Sequence, residues 1–170
     1  MDMEELDQLP SHPDHGQPSQ WRHLRVDGAV ARPLTLTAAD LAGLRKAAMV
    51  EDFPCEDGWV VRNLAWEGVP VGEVLSAAGP LGEARYVSFS AGGFSVALTL
   101  EEAQASNSLL AMRLNGRPLA PDHGGPCRLV VPGTDCFASI KWLDHMEVTA
   151  ERPAETAREI ALTRIGKLNP

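Results

Sequence analysis

Leu109-Leu110-Ala111-Met112-Arg113-Leu114-Asn115-Gly116 is the stretch on which the fold turns. Leu110, Met112 and Leu114 recur with the period of two of a half-buried strand. They run into Asn115-Gly116, the dipeptide that most strongly signals a tight hairpin turn. Downstream, Leu129-Val130-Val131 is a short apolar run stopped by Pro132-Gly133, suited to a buried strand, and residues 139–149 read as one more. Upstream, Val87 and Phe89 share a strand face, Gly92-Gly93 makes a turn, and Phe94, Val96 and Leu98 line the return.

Nearer the start, Leu24 and Val26 alternate, and Asp27-Gly28 before Ala29-Val30 signals a further hairpin. The helices read as short. Thr37 with Asp40 and Thr99 with Glu102 are capping boxes, and Pro70 stands at a first helical position before Val71, Val74, Leu75 and Ala78. Strands joined by brief helices, without regular βαβ alternation or internal repeat, predict a β-rich mixed α+β domain.

A chain of 170 residues fits one such domain, and 44% apolar residues suffice for its core. Residues 1–20 are acidic and broken by Pro10, Pro13 and Pro18, and are expected to be a disordered tail. His12 and His15 lie in it without a third metal ligand. The domain proper is expected over 21–150, and 151–170 as a C-terminal tail, packed on the domain or flexible. No run approaches the ~18 apolar residues of a membrane span. The acidic start lacks the pattern of a secretory signal, so a cytoplasmic location is expected.

The net charge of −8 excludes general affinity for nucleic acid or anionic membranes. Locally the balance reverses: residues 113–141 carry Arg113, Arg117, Arg128 and Lys141 against Asp122 and Asp135, enough for a local anion site. The three cysteines, Cys55, Cys127 and Cys136, are odd in number and form no CxxC pair. That argues against a disulfide framework and against a zinc knuckle.

Three clusters can carry chemistry. Cys55 lies in Phe53-Pro54-Cys55-Glu56-Asp57-Gly58-Trp59, where proline and glycine shape a loop around a soft thiol. On spacing alone a small buried apolar role is the commoner fate of such a cysteine. The second cluster, Asn115 to Arg128, combines glycines that let backbone amides approach a ligand with His123 and Arg128 as donors. The third, Pro132 to Leu143, offers a hydroxyl, exposed amides and Lys141 to a phosphate. Each of these loops has an ordinary reading as solvated turn residues. A cysteine hydrolase using Cys55 and His123 ranks low, because nothing in the sequence supplies a third, orienting group.

Taken together and in order, these motifs resemble the oxidoreductase molybdopterin-binding domain of the sulfite oxidase family, most closely its short bacterial members. The resemblance runs from about Trp21 to Thr149. It rests on Cys55-Glu56-Asp57-Gly58-Trp59, Trp66-Glu67-Gly68-Val69-Pro70, His123-Gly124-Gly125-Pro126, Arg128-Leu129-Val130-Val131-Pro132-Gly133 and Ser139-Ile140-Lys141-Trp142-Leu143. It implies the sulfite-oxidase type of fold and a molybdopterin cofactor, with Cys55 as the ligand to molybdenum. His123 and Arg128 would contact the pterin and its phosphate, and Ser139 and Lys141 would help hold the phosphate.

The implied activity is a two-electron oxygen-atom transfer to or from a small anionic or sulfur-containing substrate. No haem-attachment CxxCH is present, so electrons would leave through a separate partner. The chain departs from the family pattern at Pro54, where short relatives often have histidine. It departs again at Cys136 and Ala138, where glycine and a basic residue are common. Those departures keep a second reading in view, a cofactor-binding or carrier module without turnover.

Overall fold

The computed structural model describes residues 2–10, 21–134, 136–164 and 166. In chain order the first strands are β1 (Glu4–Leu6), β2 (Leu24–Gly28), β3 (Leu34–Leu36), β4 (Ala47–Pro54), β5 (Trp59–Pro70) and β6 (Tyr86–Ala91). They are followed by β7 (Phe94–Thr99), β8 (Leu109–Leu114), β9 (Arg117–Pro118), β10 (Arg128–Val130) and β11 (His145–Thr149). Between them lie α1 (Ala38–Ala42), α2 (Val71–Ala78) and α3 (Leu100–Gln104), with α4 (Ala157–Arg164) after the last strand.

The strands form two sheets. One has the order β1-β5-β8-β10, with β4 added on β5 and β9 on β8; the other has the order β3-β2-β11-β6-β7. Within the second, β2 and β11 run parallel and the remaining neighbours antiparallel.

The first sheet is buried on both faces at its centre, and β8 shows why. Leu109 and Ala111 point into an apolar cluster with Phe53, Val61, Trp66 and Val130, whereas Leu110 points the other way, against Val69 and Leu129. A strand buried on both sides reads as a continuous apolar run rather than a clean alternation. The larger cluster joins this sheet to the second one through Leu24, Val26, Val87, Phe89, Met146 and Val148, with α2 packed between. Each fully buried Leu or Met there contributes about 1.5–3 kcal/mol.

Local signals act as the sequence suggests in several places. Thr37 and Thr99 each accept from the amide three residues on, and Asp40 and Glu102 accept in return from the cap amides. Pro70 is the residue just before α2 rather than its first helical position. Asn115 and Gly116 take φ of 51° and 79° between β8 and β9, the left-handed pair a tight hairpin requires.

Other expectations are corrected. Residues 139–149 are not one strand: only His145–Thr149 is extended, and Trp142 has φ 54°. The amides of Trp142 and Leu143 instead donate to Gly124 and Cys127 carbonyls, so loop pairing replaces a ladder. Asp27-Gly28 does lead into a hairpin, with Gly28 at φ 89°, but the return strand is Leu34–Leu36 rather than Ala29-Val30. The disordered tail expected over 1–20 does not describe its first half. Glu4–Leu6 pairs parallel to Trp59–Val61, and Leu9 is buried on the Phe53 cluster. Apolar Leu6 and Leu9 outweigh the acidic composition there. His12 and His15 lie outside the described residues.

At the other end, the Ala97 amide donates to Glu155 and the Ser95 amide to Thr156, and Ala157 and Leu162 are buried. No helix among the described residues is long and apolar enough to cross a membrane.

Candidate functional site

Cys55 opens the turn of the β4–β5 hairpin, a hairpin that sequence reading takes for a loop. Its carbonyl accepts from the Gly58 amide at 2.9 Å and its amide donates to the Trp59 carbonyl at 2.8 Å. Gly58 has φ 96°, a left-handed conformation that a side chain disfavours, so glycine is what lets the turn close beneath the thiol.

Two residues back along β4, Phe53 stacks on Trp59 with ring centres 6.1 Å apart and lies 6.3 Å from Trp66. Arg128, the first residue of β10, lays its guanidinium over this platform, 5.1 Å from the Phe53 centroid and 5.6 Å from that of Trp66. It is only 5% exposed. Its Nε donates to Ser139 Oγ at 3.1 Å and its terminal nitrogen to the His123 carbonyl at 3.0 Å. Ser139 Oγ in turn donates to the Leu129 carbonyl.

Burial pulls Arg128 down to about 10, which leaves it cationic at neutral pH. The groups that favour its charge are Cys136 and Cys55, and among the described residues no carboxylate pairs with it. A buried cation without a carboxylate is costly and suits an incoming anion.

The thiols of Cys55 and Cys136 converge, Sγ to Sγ at 2.7 Å. The hydrogen bond from Cys136 pulls Cys55 down to about 7, and burial and the neighbouring Asp57 and Glu56 charges oppose this without cancelling it. Cys136 moves the opposite way, pushed up by sharing that contact and by burial. Cys127 is fully buried, pushed up to about 12, and inert.

A cleft of about 190 Å³ opens beside the pair, bordered by Phe53, Trp66, Val131, Thr134, Cys136 and Ser139 among others. The Trp66 indole N–H is buried with no acceptor among the described residues. An unsatisfied buried donor costs about 1–3 kcal/mol.

His123 and Lys141 also lie near Arg128. His123 Nε2 lies 3.1 Å from the Leu9 carbonyl, and burial lowers its affinity for a proton, with Lys141 and Arg128 adding repulsion. Lys141 Nζ donates to the Asp122 carbonyl at 2.8 Å, and burial followed by Arg128 lowers it to about 8. The two loops are stitched by the Trp142 indole donating to the Pro121 carbonyl. Gly124 is needed at the seam, since a Cβ there would lie 2.8 Å from the Lys141 side chain.

Ser139 and Cys136 thus border one cleft, with Arg128 bonded to Ser139 and Cys55 in contact with Cys136, and His123 and Lys141 lie near Arg128. Sequence reading missed the aromatic platform, the contact of Leu9 with His123, and Cys136 as the neighbour of Cys55. Phe53, two places before Cys55 in a strand, was the available signal for the first. Nothing in the sequence announced the other two.

Among the described residues the guanidinium has no carboxylate partner and the indole donor no acceptor; with a half-buried soft thiol nearby, they suit a thiophilic metal held next to an anionic, acceptor-rich group. The residues present fit molybdopterin in kind.

Comparison with known proteins gives the same direction. The family profile described as the oxidoreductase molybdopterin binding domain matches residues 9–157. An uncharacterized oxidoreductase of Bacillus subtilis, YuiH, is 35% identical over 134 residues, which cover 78% of this chain and 67% of that protein. The catalytic subunit MsrP of the protein-methionine-sulfoxide reductase of Xanthomonas axonopodis is 31% identical over 156 residues, 82% of this chain and 48% of the relative. The NADPH nitrate reductase of Fusarium oxysporum is 40% identical over 94 residues, but these make up only 10% of its length. This chain therefore spans about two thirds of the first relative and half or less of the other two. Among solved structures, the sulfane dehydrogenase SoxCD of Paracoccus pantotrophus superposes with a TM-score of 0.72 at 24% identity, over 77% of this chain and 39% of that one. That likeness is one of fold.

Proposed function

Since the chain belongs to the family of oxidoreductase molybdopterin-binding domains, we propose that it is a molybdopterin-dependent oxidoreductase with Cys55 as the thiolate ligand of molybdenum. Its reaction is a two-electron oxygen-atom transfer to or from a small substrate, anionic or sulfur-containing. When bound, the cofactor supplies the redox chemistry; the protein binds, orients and tunes it.

The observation that carries this reading is a half-buried Cys55 thiol in contact with Cys136, near a buried Arg128 that no carboxylate among the described residues pairs. The contact with Cys136 favours the Cys55 thiolate, the form that ligates metal. Arg128 and Ser139 hold the anionic part of the cofactor, with His123 and Lys141 as outer donors, and Trp66 offers its free indole N–H. The proposal extends to a small substrate in the cleft and to an electron carrier docking from outside.

A second reading, a carrier module that holds the cofactor without turnover, is favoured by one observation. Ala138 is buried and brings no cation to the phosphate loop, and the neighbouring Cys136 rests on the proposed metal ligand.

The test is metal and pterin analysis of protein made in a cofactor-competent host, followed by X-ray absorption. Cys55→Ser is expected to remove one sulfur neighbour from molybdenum, and Cys127→Ser none. An unchanged count in Cys55→Ser overturns the ligand assignment, and absence of molybdenum from the wild type overturns the enzyme. Full loading without redox turnover favours the carrier module.

A further inference from the structure

We propose that Cys55 and Cys136 form a reversible intramolecular disulfide, and that this bond competes with metal for the Cys55 sulfur. The second half rests on the reading of Cys55 as a metal ligand; the first half does not.

The two sulfurs lie 2.7 Å apart, so a movement of about 0.7 Å brings them to bonding distance. They come from separate, well-anchored pieces of chain. Cys55 is fixed in the β4–β5 turn by its two backbone bonds, and Cys136 begins a short 3-10 turn whose carbonyl accepts from the Ser139 amide at 3.0 Å. Neither loop has to refold to make the bond. Both thiols are partly exposed and Cys136 borders the cleft, so a small oxidant reaches them, whereas Cys127 is sealed in the core.

With a low-molecular-weight disulfide RSSR as oxidant the chemistry balances. The Cys55 thiolate attacks one sulfur of RSSR, the RS–SR bond breaks, and RS⁻ leaves with the proton that Cys55 gave up. The Cys136 sulfur, losing its proton to water, then attacks the Cys55 sulfur of the mixed disulfide and expels a second RS⁻, which is protonated. Two protein thiols lose two electrons and one RSSR becomes two RSH. A Cys55 committed to this bond has no thiolate left for a metal, and a metal on Cys55 leaves nothing to attack RSSR.

The experiment treats the full-length, metal-free protein with oxidised glutathione and maps thiols by alkylation and peptide mass. The expected product has lost two hydrogens, retains only Cys127 as an alkylatable thiol, and yields a linked Cys55–Cys136 peptide that dithiothreitol separates. Cys127→Ser is expected to form the same link and to retain no alkylatable thiol. The molybdenum-loaded protein, treated in parallel, is expected to form the bond at least tenfold more slowly.

Failure of the link to appear in wild-type protein, or glutathione remaining on Cys55 without resolution by Cys136, overturns the inference and leaves the metal-ligand reading intact. Equal rates with and without bound molybdenum overturn the competition and the ligand assignment of Cys55, while the disulfide itself stands.

Discussion

The guanidinium of Arg128 lies 5.1 Å from the centre of the Phe53 ring, so the strand that leads into Cys55 also floors the one buried cation among the described residues that no carboxylate pairs. A flat, delocalised cation can sit on an aromatic face while its edge donates to Ser139 and His123; an ammonium cannot do both.

Arg128→Lys is therefore expected to leave the domain folded but to weaken cofactor retention. Loss of one charge-assisted contact costs about 1.5–3 kcal/mol, or roughly ten- to a hundredfold in dissociation. Cofactor content and off-rate from purified protein are the measurements. An unchanged off-rate would show that the anion lies elsewhere.

Lys141 gives a pH dependence. Its charge is disfavoured by burial and by Arg128, which brings it to about 8, so in the free site it is mostly protonated at pH 7 and mostly neutral at pH 9. An anion that needs the ammonium is expected to bind about tenfold more weakly at pH 9 than at pH 7, and Lys141→Ala to flatten that slope. Stability runs the opposite way. The folded value lies below the unfolded one, so the charged lysine burdens the fold below pH 8, and that burden fades as pH rises toward 10.5. Titration with inorganic phosphate and thermal melts across this range check both signs.

Leu9 makes the N-terminal segment part of the structure. It is 6% exposed against Phe53 and Trp66, and its carbonyl faces His123. Leu9→Ala is expected to cost about 2 kcal/mol and lower the melting temperature by roughly 4–8 °C. A shift under one degree would return residues 1–10 to the disordered tail that their composition suggested.

Gly58→Ala tests the turn under the thiol. Space is open around the added methyl group, so the penalty is conformational rather than a clash, about 1–2 kcal/mol. The melting temperature is expected to fall by a few degrees, and Cys55 alkylation to change rate as the turn relaxes. No change in either would mean that the turn tolerates a side chain.

The sequence made legible what local chemistry determines. Both capping boxes, the Asn115-Gly116 turn and the β6–β7 hairpin are written within a few residues of themselves. It hid what distant partners determine. β4 alternates in exposure, but its residue types do not follow: Val50 is 61% exposed while Glu51 stands on the more buried side, so the sequence lacks the apolar–polar alternation that marks a strand. β5 carries a register shift at Glu67/Gly68 and a left-handed Asn63, which break its periodicity. The family motifs pointed to Cys55, Arg128, Ser139, His123 and Lys141 as a group. They could not show that Cys136 would meet Cys55 across 81 positions, because no local pattern encodes a contact made by two loops.

The parallel pairing of β2 with β11 joins residues 25–28 to residues 145–148 at the middle of the second sheet. During synthesis from the N-terminus, β2 and β6 both await the same central neighbour, β11, which is made after every other described strand of the two sheets. Until then each has a bare edge, the kind of surface on which unfinished chains aggregate. The loops that carry Arg128 and Lys141 are made just before that strand. Closure of the sheet and completion of the proposed cofactor cradle thus fall within the same short interval of translation, so a nascent chain has almost no time in which it can hold its ligand while either edge is still bare.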